Sequence, residues 1–460
     1  MVKAESSPGR ALAFKKDWTK GPVIGNLLLL SWPMVLMESL WVVSQIVDLI
    51  WVGRLGPSSI AGVGVANIVL MMVWAVDMGL LTGVRAMIAR NIGAGDLPGA
   101  NHIAGQALIL SATWGMLVTL AGSLLAGAIL RLFGVNAEVT AEGMAYLRIM
   151  FAGWLGMELL IMSLYVIQSS GDTITPMIIE ALIRAVHLGL CPFLVLGWWL
   201  FPHLGVSGAA LSNVISQALG AGIALWVLFR GRTRLRLTLR VFRLAPAIIW
   251  RILKISVPAL VMSLQGALGS IIVMRFIAPF GTLAVAAHSL AARMEMFVFV
   301  PAMGLGTGAG VLVGQNLGAG QPERATKSAW LAVSFVEAFM VACSTVILLW
   351  AENIIAIFTT EPALIELGGT FLRIATASYL VMAFSSVLQN CIAGAGDTLP
   401  NMVVSITAVW AVQLPLAFFL PRVGNLGIYG VRWAMVANTF TGAIAYTTYF
   451  VLGRWKTKKV

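Results

Sequence analysis

The chain reads as an all-α integral membrane protein of twelve transmembrane helices, arranged as two pseudo-twofold-related six-helix bundles. Three observations predict this. Hydrophobic residues make up 59% of the 460 residues and charged residues only 10%, where soluble domains carry about a quarter charged. Apolar runs of about 20 residues or more recur along the chain, each long enough to cross a bilayer core of about 30 Å. Short motifs also recur at one offset: Pro33 returns as Pro258, 225 residues on, which marks an internal repeat.

Backbone groups in lipid must be satisfied within their own segment, so each apolar run is expected to be a helix. Spans are expected near 23–53, 60–89, 102–131, 140–167, 176–200 and 206–229 in the first half. In the second half they are expected near 250–279, 284–313, 326–350, 366–393, 400–420 and 427–452. The organisation that follows is a cytoplasmic segment 1–22, an amino-terminal lobe 23–229, a basic linker 230–249, a carboxy-terminal lobe 250–453 and a basic tail 454–460. The first run is too long for a cleavable signal peptide and contains Asp48.

The formal charge is +12, but its distribution argues against nucleic acid. Lys3, Arg10, Lys15, Lys16 and Lys20 precede the first span. Arg230, Arg232, Arg234, Arg236, Arg240 and Arg243 occupy the long connection, and Arg454, Lys456, Lys458 and Lys459 end the chain. A cytoplasmic excess of Lys and Arg falls at such places. Both termini are therefore expected in the cytoplasm of a cell inner-membrane protein, with the Arg-x-Arg-x-Arg stretch against anionic headgroups. Cys191, Cys343 and Cys391 all lie in apolar runs and point to neither a disulfide framework nor a zinc site.

The repeat carries the functional argument. Ser31-Trp32-Pro33 matches Ser256-Val257-Pro258, and Thr82-Gly83 matches Thr307-Gly308. Asn91-Ile92-Gly93-Ala94-Gly95 matches Asn316-Leu317-Gly318-Ala319-Gly320, and Gly171-Asp172-Thr173 matches Gly396-Asp397-Thr398. Six helices separate the copies, an even number, so they are parallel repeats about an axis along the membrane normal, with a cavity expected between the halves. Two bundles that rock against each other make an alternating-access transporter. Pro33, Pro258 and Pro301 each remove a backbone donor and are candidate hinges. The glycines near Gly79, Gly83 and Gly304–Gly310 allow close helix approach.

These residues together resemble the multidrug and toxic compound extrusion (MATE) family. The resemblance is carried by Ser31-Trp32-Pro33, by Val47-Asp48-Leu49-Ile50-Trp51-Val52-Gly53-Arg54-Leu55-Gly56, and by Gly314-Gln315-Asn316-Leu317-Gly318-Ala319-Gly320-Gln321 with Pro322-Glu323-Arg324-Ala325. The paired Gly-Asp-Thr turns, Ala286-Ala287-His288 and Leu204-Gly205-Val206-Ser207-Gly208-Ala209-Ala210 complete it. The resemblance implies a monomeric exporter of organic cations or other small amphipathic compounds, driven by inward flow of protons or sodium ions, with no cofactor. A lipid-linked precursor flippase of related fold is the alternative, kept open by Arg184, Arg275 and Arg293. A channel is disfavoured by the repeat. An enzyme is not expected, since HExxH, Walker and Gly-x-Ser-x-Gly elements are absent.

Ionisable groups at bilayer depth cost about 2.5–3.5 kcal/mol each on insertion scales, so each is a candidate. Asp48, near the outer end of the first span, matches the family's first-helix aspartate and is read as a proton or cation coupling group, against a structural hydrogen-bonding role. Glu180, Arg184, His187 and Cys191 fall on one face of the fifth span. Glu180 and Arg184 read first as a neutralising pair. His187 and Cys191 stand where related sites show asparagine and aspartate, which disfavours a two-carboxylate sodium site and favours protons. Span ends near 53 and 200 place Cys191 about 6 Å and His187 about 12 Å deeper than Asp48, so a relay through water is expected. Glu38, Asp77, Glu158, Gln265, Arg293 and Glu295 join Glu180 and Arg184 as candidates for the substrate cavity. Arg293 and Glu295 could equally be structural. In the second copy, Val273, Val412 and Leu416 occupy the places of Asp48, His187 and Cys191, so coupling is expected in the amino-terminal lobe alone.

Overall fold

The computed structural model describes residues 16–134, 136–198, 202–424 and 426–458, and of Ile46 and Leu49 the backbone alone. Lys3, Arg10, Lys15 and Lys459 lie outside the described residues. Continuous apolar sequence folds into helices that satisfy their own backbone. The first three spans are Val23–Gly53, Pro57–Gly93 and Leu97–Leu132. The fourth is a pair, Ala137–Ala152 and Trp154–Ser169, bent by 54°. The break falls at Gly153, where the sixth span comes close: a Cβ there would stand 2.4 Å from Val214 Cγ1. The fifth and sixth spans are Ile174–Leu196 and Val206–Phe229.

The second half runs Pro246–Ile277, Thr282–Gly318, Pro322–Ala356 and Pro362–Gly394. The eleventh span is composite, with a π-helical stretch Thr407–Gln413 between Thr398–Ile406 and Leu414–Phe419. The twelfth is Ile428–Leu452. Among the described residues ten helices are long and apolar enough to cross a membrane, and the bent pair supplies an eleventh crossing. Ile428–Leu452 is as long as its neighbours but dilutes its apolar run with Arg432, Asn438 and four threonines. The molecule is an all-helical membrane protein of twelve spans.

The repeat is visible in hydrogen bonds as well as letters. Asn91 Nδ2 donates to Met87 O and Asn316 Nδ2 to Leu312 O, each at 2.8 Å. Asp96 N donates to Asn91 O and Gln321 N to Asn316 O, at 2.9 and 2.8 Å. Gly95 and Gly320 turn the chain there with φ of +78° and +70°, a region that favours glycine.

The described residues fall into two packed units. One contains Leu36–Leu253 with the residues up to Trp18; the other contains Thr19–Val35 and the chain from Lys254 onward. The first span therefore divides two residues past Pro33, whereas the expected lobes kept it whole. Its early part packs in the second unit because the eighth span lacks side chains there. A Cβ at Gly304 would fall 2.7 Å from Val35 Cα, and one at Gly308 would fall 2.2 Å from Ser31 Oγ. Pro33, Pro258 and Pro301 all lie inside helices that continue through them.

Candidate functional site

In the first unit, the late part of the first span and the middle of the fifth bring Asp48 and His187 into direct contact. His187 Nε2 and Asp48 Oδ1 are 2.6 Å apart. The imidazole is enclosed, with 1% of its side chain exposed, whereas the Asp48 side chain is 26% exposed. The depth difference expected from the sequence is corrected here, and no water is needed between the two groups. The fifth span ends at Leu196 and not near 200. Four residues fewer bring His187 about 6 Å nearer the outer end at the helical rise, and the long imidazole covers part of what remains.

Cys191 lies one turn further along the fifth span, fully buried. It completes a cluster in which one donor atom each from Asp48, His187 and Cys191 lies within 4.8 Å of the others. Ser212 hydrogen-bonds to Cys191, and Tyr146 is within electrostatic reach of both Asp48 and Cys191. Cys191 belongs to a buried apolar cluster that also contains Val52, Leu147, Met150 and Val195. A carboxylate, imidazole and thiol are a ligand set for a thiophilic divalent ion rather than sodium. A metal-bound imidazole, however, needs an acceptor for its other nitrogen, and His187 Nδ1 has no hydrogen-bond partner.

The remaining candidates separate into three groups. Glu180 and Arg184 form the expected pair along one helix turn, with Glu38 and Tyr165 within electrostatic reach of Glu180. Asp77 and Glu158 adjoin, but they are enclosed instead of lining an open cavity, at 0% and 1% exposure. Trp114 Nε1 donates to Asp77 Oδ1 at 2.7 Å and Ser111 Oγ donates to Glu158 Oε1 at 3.2 Å. In the second unit, Glu295 is also enclosed, and it is paired with Arg432 of the twelfth span. Arg293, two residues earlier, is exposed. Gln265 is buried and donates to Ser405 Oγ at 2.5 Å and to Met262 O at 3.1 Å.

Arg432 is the residue the sequence reading missed. It is 2% exposed, donates to Glu295, lies 3.2 Å from His288 Nδ1 and covers the Phe371 ring at 5.1 Å. A buried arginine without a carboxylate is too costly to persist. An isolated Arg in the least apolar span was the available signal. At the places equivalent to Asp48 and Cys191, Val273 and Leu416 belong to one apolar cluster with Ile277, Ala417 and Val431.

The MatE family model matches residues 33–193 and 258–419, two blocks that open on the paired prolines. A probable multidrug resistance protein NorM of Thermotoga maritima is 26% identical over 443 residues, covering 95% of this chain and 94% of its own. The multidrug export protein MepA of Staphylococcus aureus is 24% identical over 436 residues, 93% of each chain. A solved structure described as the outward-facing conformation of a multidrug resistance MATE family transporter has a TM-score of 0.88, covers 99% of this chain and 100% of its own, and is 24% identical. With both repeats matched, the chain belongs to the MatE family of multidrug and toxic compound extrusion transporters, and it is not an enzyme.

Proposed function

We propose that the chain is a proton-coupled antiporter that exports organic cations or other amphipathic compounds by alternating access. Asp48 and His187 form its coupling site, with Cys191 as a lesser participant. It acts as a monomer in the cell inner membrane, with both termini cytoplasmic. The observation that carries this reading is the direct Asp48–His187 hydrogen bond between the first and fifth spans. Carboxylate and imidazole exchange protons at physiological pH when placed together. Proton uptake at Asp48 removes the charge that makes this contact strong, so protonation weakens the tie between the two spans and frees the first to bend at Pro33. A proton can drive such a change only by binding one state better than the other. Sodium is served less well, since nitrogen and sulfur supply two of the three donors and a hard cation prefers oxygen.

The test is export from proteoliposomes under separately imposed proton and sodium gradients, in the wild type and in His187→Ala. Proton-driven export with an altered pH profile in the variant is expected. Strict sodium dependence at constant pH, or an unchanged pH profile without His187, would overturn the assignment.

A further inference from the structure

From residue 181 to residue 294 the sequence contains no Asp or Glu, and the basic connection falls in that gap. The connection is a folded strap on the first unit. Within Arg234-Leu235-Arg236-Leu237, both leucines are buried, at 0% and 2%, while Arg236 is exposed. That is the period-two pattern of an extended segment lying on a surface. Its backbone is held at several points. Leu237 N donates to Leu228 O at 3.1 Å and Arg236 N to Asn101 Oδ1 at 2.8 Å. Gln106 Nε2 donates to the carbonyls of Val241 and Arg243 at 3.1 and 2.9 Å, and its Oε1 accepts from Ala245 N at 3.0 Å. Gly105 admits the strap, since a Cβ there would stand 2.5 Å from Val241 O.

This anchoring displays a fixed outer surface of two kinds. Arg236, Arg240 and Arg243 are exposed, and none is paired with a carboxylate among the described residues. Beside them Leu239 is 86% exposed, and Leu244 and Trp250 are 69% exposed. A soluble polyanion would satisfy the guanidiniums and leave the apolar side chains in water. A lipid interface satisfies both, with phosphodiesters on the guanidiniums and the apolar side chains among the acyl ends. We infer that the strap of residues 234–250 is a docking surface for anionic phospholipid. The site is independent of the coupling chemistry at Asp48.

The experiment uses the purified, delipidated full chain in a neutral detergent, titrated with phosphatidylglycerol or phosphatidylcholine, with bound lipid counted by native mass spectrometry. The wild type should prefer phosphatidylglycerol, and raised salt should weaken that preference. R236Q/R240Q/R243Q should weaken phosphatidylglycerol binding about a hundredfold, at about a factor of five for each charge. It should leave the unfolding midpoint in phosphatidylcholine unchanged, because the buried leucines and the Gln106 bonds are untouched. L239S/L244S should also weaken phosphatidylglycerol binding with every charge kept. Unchanged binding in the triple variant would overturn the inference. So would salt-insensitive binding by the wild type, or glycerophosphoglycerol without acyl chains binding as tightly as the lipid.

Discussion

Among the described residues Asp48 has one hydrogen-bonding partner, His187, and an opening to its surroundings. Asp48→Asn keeps the volume and a hydrogen bond but removes the exchangeable proton. Gradient-driven export should be lost while the thermal midpoint stays level or rises, since neutralising a charge at bilayer depth relieves its cost. Export at the wild-type rate in proteoliposomes would remove Asp48 from the mechanism. Arg432 and Glu295 make the opposite case. Glu295→Ala strands a buried guanidinium and should cost about 3–5 kcal/mol. The double change Glu295→Leu with Arg432→Leu removes both charges and should cost much less. Thermal unfolding of the single and double variants measures the difference, and equal losses would mean that the pair is not what holds these spans.

Helices in lipid gain little from apolar burial against one another, so they depend on close packing and small residues. The eighth span shows how. Gly304 and Gly308 face Val35 and Ser31 of the first span, while Gly306 and Gly310 face Asn390 of the tenth. Two small-residue faces are thus interleaved on one helix. Gly310→Ala would push a methyl to 2.7 Å from Asn390 O and should cost about 1–3 kcal/mol. Gly266→Ala in the seventh span meets nothing within 4 Å and should be neutral or stabilising by up to about 1 kcal/mol. Comparing the two unfolding midpoints checks the reading, and similar effects would refute it. The Gly-Asp-Thr turns show a second element-scale device. In each unit the turn aspartate meets a cation from the chain after that unit's last span: Arg234 attracts Asp172, and Lys458 Nζ lies 2.8 Å from Asp397 Oδ1. Burial still holds the Asp172 carboxyl above its ordinary value, against the pull of Arg234 and Thr175.

Over the whole molecule, two copies of one six-span unit have kept their turns and lost their equivalence in the interior. One copy gathers donor atoms of Asp48, His187 and Cys191 within 4.8 Å of one another; the other has Val273 and Leu416 in an apolar cluster and a buried Glu295–Arg432 pair. Parallel repeats also require the connections after even-numbered spans to share one side. A cysteine introduced at the exposed Arg240 should react with impermeant maleimide in inside-out vesicles and resist it in intact cells. Labelling from outside the cell would refute the orientation.

Composition and the 225-residue repeat were sufficient for the class, the number of spans and the lobed plan, because lipid permits few backbone solutions. The same regularities, with the resemblance they carried, picked out Asp48, His187 and Cys191, since a charge or its replacement stands out in apolar sequence. What could not be read along the chain were distances that depend on where helices end and how they cross. The Asp48–His187 contact appeared only once the fifth span closed at Leu196. The split of the first span beyond Pro33 depended on glycines some 270 residues away, at Gly304 and Gly308. The partner of Glu295 is 137 residues on, at Arg432. A buried charge announces by its cost that it must have a partner, but only the tertiary structure decides which one, because pairing is set by the packing of helices distant in sequence.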